Sequence, residues 1–245
     1  DVYKRQGMMF IPPLVTDYGN NVLYWSLILF SVCTLVMLFF IPELSAKNPK
    51  GIQSNWKFLL KKPLQLTLLS IFLFQAANMG IYAFIVSLGK FNGLNLSFIS
   101  ISLGWAAWIG ILGSILVIWL STRYGLVKPL LIGVFFTVIG TWILLYSDNK
   151  IIWLVANLGV GVTWAFVMPY LFSLCAQLDE SGQVSAMGGF ASKLGLASGP
   201  VITGIIIGDD NFQQAIVVAS LVLLLCLFSS VMAARSVSLH IQRAK

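Results

Sequence analysis

Lys193 is the residue whose position most clearly suggests chemistry. It lies in the apolar run 184–208, about ten residues, or about 15 Å of helix, from the polar end of that run. That depth is close to the bilayer midplane, where a charge facing lipid costs at least about 2.5–3.5 kcal/mol. We therefore expect Lys193 to face a wet cavity or a partner. It would attract an anionic group of a small molecule or pair with an acid in a functional role, or it would be a structural lysine bonded to backbone carbonyls or to an acid elsewhere.

A second polar set follows helical spacing. Gln75, Asn78 and Tyr82 stand at i, i+3 and i+7 inside an apolar run, so their side chains share one face of a helix. In a membrane such a stripe faces protein or water. Hydrogen bonds to neighbouring helices are one role for such a stripe.

The apolar run 151–178 is long and interrupted by polar residues, glycines and a proline. Proline removes a helical hydrogen bond and glycine permits bending or close approach, so this run predicts a helix that can kink, with simple packing as the alternative. Its polar cavity candidates are Asn157 and Trp164, and its bending candidates are Gly159, Gly161 and Pro169.

A glycine pair and a proline follow Lys193. Gly195 and Gly199 are four residues apart and directly precede Pro200. Small residues at this spacing let helix backbones approach closely, and the proline breaks the hydrogen-bond ladder locally. We expect a closely packed helix with a local break at this point.

The sequence shows no catalytic or cofactor pattern. It contains no Walker loop, no His-Glu-x-x-His and no Gly-x-Ser-x-Gly, and its single histidine, His240, lies in the polar tail. The cysteines Cys33, Cys175 and Cys226 all fall in apolar runs, as small packing residues do. We expect no enzyme activity, no cofactor and no metal.

The composition defines the environment of these residues. Hydrophobic residues make up 58% of the 245 residues, charged residues 9%, and the mean hydropathy is +0.91. Soluble domains carry about 25% charged residues, so this surface suits the lipid bilayer as its partner. The net charge of +7 is spread over short loops rather than forming a basic face, which argues against nucleic acid.

Seven runs are long and apolar enough to cross a membrane, which needs about 20 residues. They predict an all-α polytopic membrane protein with about seven transmembrane helices. The runs are 21–41, 64–87, 98–120, 127–146, 151–178, 184–208 and 212–234.

Lysine and arginine are unequally divided between alternate loops. They concentrate in 42–62, in 121–128 and in the C-terminal tail, whereas the other loops hold only Lys90 and Lys150. Basic loops stay in the cytoplasm, so the C-terminus is expected there. The stretch 42–62 is the longest polar one, and its end could lie as a short helix on an anionic leaflet or be a solvated tether.

Several segments, in this order, resemble the major facilitator superfamily. They correspond to the turn before that family's sixth helix, the end of the sixth, the entry to the seventh, the loop between the eighth and ninth, and the glycine-proline pattern of the eleventh. The segments are Asp17-Tyr18-Gly19, Ile41-Pro42-Glu43, Trp56 to Pro63, Ser121 to Gly125, and Gly195 to Gly204.

The resemblance implies a domain organisation. Residues 1–6 are polar and are expected to be a non-native leader, and 7–41 would be the end of the N-terminal bundle, namely the tail of helix five and helix six. Residues 42–62 would be the central cytoplasmic loop, and 63–245 a C-terminal six-helix bundle with a cytoplasmic tail. The N-terminal six-helix half would be a partner outside this sequence.

The resemblance also implies roles for single residues. Lys193 falls on the eleventh helix, which lines the central cavity, and 151–178 becomes helix ten, a gating helix. The helix that carries Gln75, Asn78 and Tyr82 becomes the seventh, one of the four innermost, so these side chains would form a hydrogen-bonding wall for the substrate. Arg123 and Gly125 fall on the family's Asp-Arg-x-Gly loop, but Thr122 replaces the acid, so the usual charge relay is in doubt.

The functional prediction is a secondary transporter in a cell membrane, expected to be a bacterial inner membrane. It would move a small solute by alternating access, coupled to a proton or another ion. Lys193 favours an organic anion or a zwitterion. A seven-helix receptor or sensor, or a non-catalytic membrane subunit, is the alternative.

Overall fold

The computed structural model describes residues 19, 21–38, 40, 61–121, 123–178 and 182–243. Within these residues the fold is entirely helical. The helices are α1 (Asn21–Leu38), α2 (Lys62–Ala83), α3 (Ile85–Phe91), α4 (Leu96–Leu120), α5 (Val127–Trp142), α6 (Lys150–Leu178), α7 (Gln183–Ile207) and α8 (Phe212–Arg243). A 3₁₀ helix, Ile143–Tyr146, extends α5.

Six of the described helices are long and apolar enough to cross a membrane: α2, α4, α5 with its 3₁₀ extension, α6, α7 and α8. The predicted span 21–41 is described as α1, an 18-residue helix whose apolar part, Tyr24–Met37, is shorter. The prediction of a polytopic all-α membrane protein is therefore confirmed.

The chain divides into two compact units, with α1 in the first and α2–α8 in the second. The predicted leader 1–6, the tail of helix five expected from residue 7, and residues 42–60 of the predicted loop 42–62 lie outside the described residues. The predicted domain boundaries stay predictions.

Local chemistry sets several helix ends. The Asn95 side chain accepts a hydrogen bond from the Ser97 amide at 2.9 Å and caps the start of α4, and Asn149 does the same for the Ile151 amide in α6. Gly208 ends α7 with φ +50°, a conformation that suits glycine.

The predicted span 64–87 is interrupted. α2 ends at Ala83, and a short helix, α3, resumes at Ile85 after Phe84. A run of apolar residues does not reveal such a break, because Phe84 is as hydrophobic as its neighbours.

Packing within the second unit centres on α2 and α6. α2 packs most extensively against α7 and α8, α4 packs against α6, and α5 packs against both α6 and α8. Phe74, Leu130, Trp153, Leu171 and Leu223 are fully buried in the shared core. Large apolar side chains also cover the outside of the bundle, as a surface in contact with lipid requires.

Candidate functional site

α7 presents three different faces. Its buried face, which packs against α2, carries small residues: Gly188, Ala191, Ser192, Gly195 and Gly199. One exposed face carries large apolar side chains: Phe190, Leu194, Val201 and Ile205. Between the two, at helical spacing, runs a strip of small residues around Lys193, namely Ala186, Gly189, Ala197 and Pro200, and Lys193 itself is exposed.

The glycines of α7 distinguish the buried face from the strip. A Cβ placed on Gly195 would lie 2.5 Å from the carbonyl oxygen of Phe72, and one on Gly199 would collide with the carbonyl of Ala76. A Cβ on Gly189 would meet nothing within 4 Å. Gly195 and Gly199 thus permit close approach to α2, whereas Gly189 opens the surface beside Lys193.

Gln75 connects three helices. Its Nε2 donates to the Ser192 hydroxyl of α7 at 2.9 Å, and its Oε1 accepts from the Trp164 indole N–H of α6 at 3.0 Å. Gln75 and Ser192 are buried. We call these three residues the Gln75 junction. The sequence placed Gln75 and Trp164 on the expected cavity wall, but Ser192 carried no signal beyond being a small residue before Lys193.

Asn78 and Tyr82 continue the stripe beyond Gln75. The Asn78 Nδ2 donates to the Phe74 carbonyl of its own helix at 2.7 Å, and its buried Oδ1 has no partner among the described residues. Tyr82 is half-buried. Within the stripe, Gln75 therefore forms hydrogen bonds to other helices, whereas the hydrogen bond from Asn78 to the Phe74 carbonyl stays within α2.

Asn157 lies on the side of α6 that carries Trp164, because seven residues separate them. It is buried, and its Nδ2 donates to the Trp153 carbonyl at 2.8 Å. Successive spans alternate in direction, so α2 and α6 are antiparallel. Asn157 lies seven residues before Trp164, and Tyr82 lies seven residues after Gln75. Because Trp164 and Gln75 are hydrogen-bonded to each other, Asn157 and Tyr82 are both displaced from that bond toward the same end of the bundle.

The predicted bending residues occupy different environments. α6 is a continuous helix through Pro169, and α7 is continuous through Pro200. A Cβ on Gly161 would lie 2.6 Å from the Ala106 carbonyl oxygen of α4, whereas one on Gly159 would meet nothing within 4 Å. Gly161 therefore permits close packing in this structure, and gating stays a prediction for all of these positions.

The turn between α4 and α5 is held from α6. Ser121 has φ +45° and Gly125 has φ +67°, while the Arg123 side chain is exposed. The Tyr170 hydroxyl of α6 donates to the Ser121 carbonyl oxygen at 3.0 Å. A left-handed conformation is unfavourable for serine, so this bond anchors a strained residue.

The described residues contain no group of three or more His, Cys, Asp or Glu that could hold a metal ion. Their carboxylates, Asp148, Asp209 and Asp210, lie in turns between helices rather than within the spans.

Six helices that are long and apolar enough to cross a membrane, three of them linked by the Gln75 junction next to the exposed Lys193, define a polytopic membrane protein. The chain belongs to the Major Facilitator Superfamily, whose family model matches residues 7–200. No curated protein matches the chain. The predicted family is confirmed. The chain is therefore a multi-pass membrane protein of a transporter family that generally carries out no catalysis, which favours the transporter over the receptor and subunit alternatives.

Proposed function

We propose that this protein is a secondary transporter that moves an organic anion or a zwitterion across the cell membrane by alternating access. The single observation that supports this most is the exposed Lys193 on the small-residue strip of α7. An ammonium group there is a binding point for a negatively charged solute group.

The energetics favour a polar environment for Lys193. A charge facing lipid at the bilayer centre costs at least about 2.5–3.5 kcal/mol, which a wet cavity would remove. The strip around it is made of small side chains, and Gly189 leaves open space one helical turn away. The large apolar side chains of α7 lie on another face, which suits lipid.

Ion coupling is part of the proposal. Coupling normally uses an acid inside the membrane, and the described acids lie in turns. A coupling carboxylate would therefore come from elsewhere in the protein. Uniport and facilitated exchange remain the alternatives to proton or ion coupling.

The expected location is a bacterial inner membrane with the C-terminus in the cytoplasm. The distribution of Lys and Arg supports that orientation, because the ends of α4 and α8 and the start of α5 carry Arg123, Arg235 and Lys128.

The test is uptake by proteoliposomes that contain the full-length protein. A panel of radiolabelled carboxylates, amino acids, sugars and organic cations is supplied with and without an imposed proton gradient. We expect uptake of a carboxylate or an amino acid. We expect Lys193→Ala to lower uptake at subsaturating solute about 10-fold or more, since about 1.4 kcal/mol of lost binding energy is tenfold. Lys193→Arg, which keeps the charge, should retain most of it.

Lys90→Ala is the matched control, because Lys90 is an exposed lysine at the end of α3, away from the strip. Gel filtration of each variant shows whether the bundle is intact. Uptake that survives Lys193→Ala with unchanged KM would refute the role of Lys193, and uptake of cations alone would refute the solute class.

A further inference from the structure

The exposed face of α8 carries a column of apolar side chains, and a cation follows them along the helix. Leu221, Leu225, Phe228 and Met232 are exposed and follow one another at three- or four-residue steps. Arg235 is also exposed and lies three residues beyond Met232 and seven beyond Phe228, so it continues the same face. Lipid chains can cover the column, and the guanidinium stands where a headgroup would lie.

α5 and α2 repeat this arrangement. On α5 the exposed Ile132 and Phe135 stand four and seven residues after the exposed Lys128. On α2 the exposed Leu69 stands seven residues after the exposed Lys62. In each helix the cation and the apolar side chains share one face.

The three cations lie at the same end of the bundle. Because successive spans alternate in direction, the start of α2, the start of α5 and the end of α8 are on one side of the membrane. α8 packs against both α2 and α5, so Arg235 lies on a helix that neighbours each of the other two. We call Lys62, Lys128 and Arg235 the basic rim.

The carboxylates of the described residues all lie at one end of the bundle. Asp148 lies between α5 and α6, and Asp209 and Asp210 lie between α7 and α8, which places all three at the end opposite the basic rim. In the described residues, therefore, no carboxylate neutralises the rim from its own side of the membrane.

We propose that the basic rim binds the headgroup of an anionic phospholipid, whose acyl chains lie along the apolar columns of α2, α5 and α8. Arginine holds a phosphate with paired hydrogen bonds, and lysine adds point charges. This site lies on the outward face of the bundle and is independent of solute binding at Lys193.

The expected strength follows from the number of cations. A lysine or arginine near an anionic membrane surface contributes about 1 kcal/mol, which is about a 5-fold change in affinity. Removing the charges of Lys128 and Arg235 should therefore weaken lipid binding about 25-fold. Replacing Lys62 with Gln as well should weaken it about 5-fold further.

The experiment uses native mass spectrometry of the full-length protein in detergent, titrated separately with phosphatidylglycerol, phosphatidylcholine and inorganic phosphate. We expect retained phosphatidylglycerol and little phosphatidylcholine on the unmodified protein. The variant K128Q/R235Q should lose phosphatidylglycerol affinity about 25-fold. The charge-preserving variant K128R/R235K should retain it, which shows that any loss is not caused by misfolding.

The matched control is K90Q/K150Q, which removes the same charge from two exposed lysines at the opposite end of the bundle. It should bind phosphatidylglycerol within about twofold of the unmodified protein. An equal loss in this control would overturn the proposal in favour of net charge alone. Equal retention of phosphatidylcholine, or displacement of the lipid by millimolar inorganic phosphate, would also overturn it.

Discussion

Two helix crossings, α2 with α7 and α4 with α6, bring backbones together at glycines. Gly195 and Gly199 of α7 allow the backbone of α2 to approach closely. Gly113 of α4 and Gly161 of α6 do the same for their crossing, where a Cβ on Gly113 would collide with the Val162 carbonyl. The two crossings differ in the position of the side-chain hydrogen bonds that the described residues form there. Gln75 bonds to Ser192 within α2–α7, whereas the Tyr170 bond to Ser121 lies at the end of α4.

This difference separates what a glycine contact controls from what a side-chain hydrogen bond controls. A glycine contact sets how closely two helices approach and which faces meet, but it carries no directional bond. A side-chain bond from the middle of one helix to the middle of the other fixes the rotation of each helix about its axis more narrowly. Rotation matters for α7, because Lys193 directly follows Ser192 and must stay on the exposed strip.

The largest effect should come from filling the glycine contacts. Gly113→Ala and Gly199→Ala each place a Cβ against backbone atoms of the facing helix, which cannot move aside as a flexible side chain can. Each should destabilise the protein by about 1–3 kcal/mol, as overpacking does. Unfolding by SDS in mixed micelles measures this. If Gly113→Ala alone were tolerated, the two crossings would not be packed alike.

A smaller but more selective effect should come from Gln75→Leu. It removes two interhelical bonds of the kind that contribute about 0.6–1.7 kcal/mol each in membranes. The same unfolding assay should show a loss of about 1–2 kcal/mol. Unlike the glycine variants, Gln75→Leu should also raise the KM for the transported solute, because α7 can then rotate. Trp164→Phe removes only one of the bonds and should cost less.

A double-variant comparison separates rotation from stability. In a Lys193→Ala background, Gln75→Leu should still destabilise but should no longer change KM. A KM effect of the same size in both backgrounds would show that the Gln75 junction acts on the solute by another route.

The smallest effect should come from Gly189→Ala. A Cβ there meets nothing within 4 Å, so the packing of the described bundle is unaffected. Stability should be unchanged or raised by about 0.4–1 kcal/mol, since alanine restricts the unfolded chain. Any marked loss of stability in the SDS assay would mean that another part of the protein packs onto the strip beside Lys193.

Much of the fold could be predicted from hydropathy alone. The predicted run 184–208 corresponds to α7, Gln183–Ile207, and 151–178 corresponds to α6, Lys150–Leu178. Both agree because a bilayer demands about 20 apolar residues, whatever their order. The break at Phe84 and the 3₁₀ turn after Trp142 were not predicted, because both depend on backbone geometry within equally apolar residues.

The site could be predicted only as far as helix faces. The i, i+3, i+7 spacing put Gln75, Asn78 and Tyr82 on one face, but it could not show that Gln75 bonds to Trp164, 89 residues away. Contacts between helices depend on rotation and crossing angle, and side-chain periodicity within one helix contains neither. The exposure of Lys193 likewise follows from which face of α7 packs against α2.

The Tyr170 bond to Ser121 has a mechanical consequence. Tyr170 directly follows Pro169, the residue at which α6 lacks a backbone hydrogen bond. A change in the helix axis at Pro169 would therefore displace the Ser121 carbonyl, the α4–α5 turn and the Arg123 it carries as one piece. Arg123 would then act as a reporter of α6 curvature, and a spin label at that position would register the bend at the membrane surface.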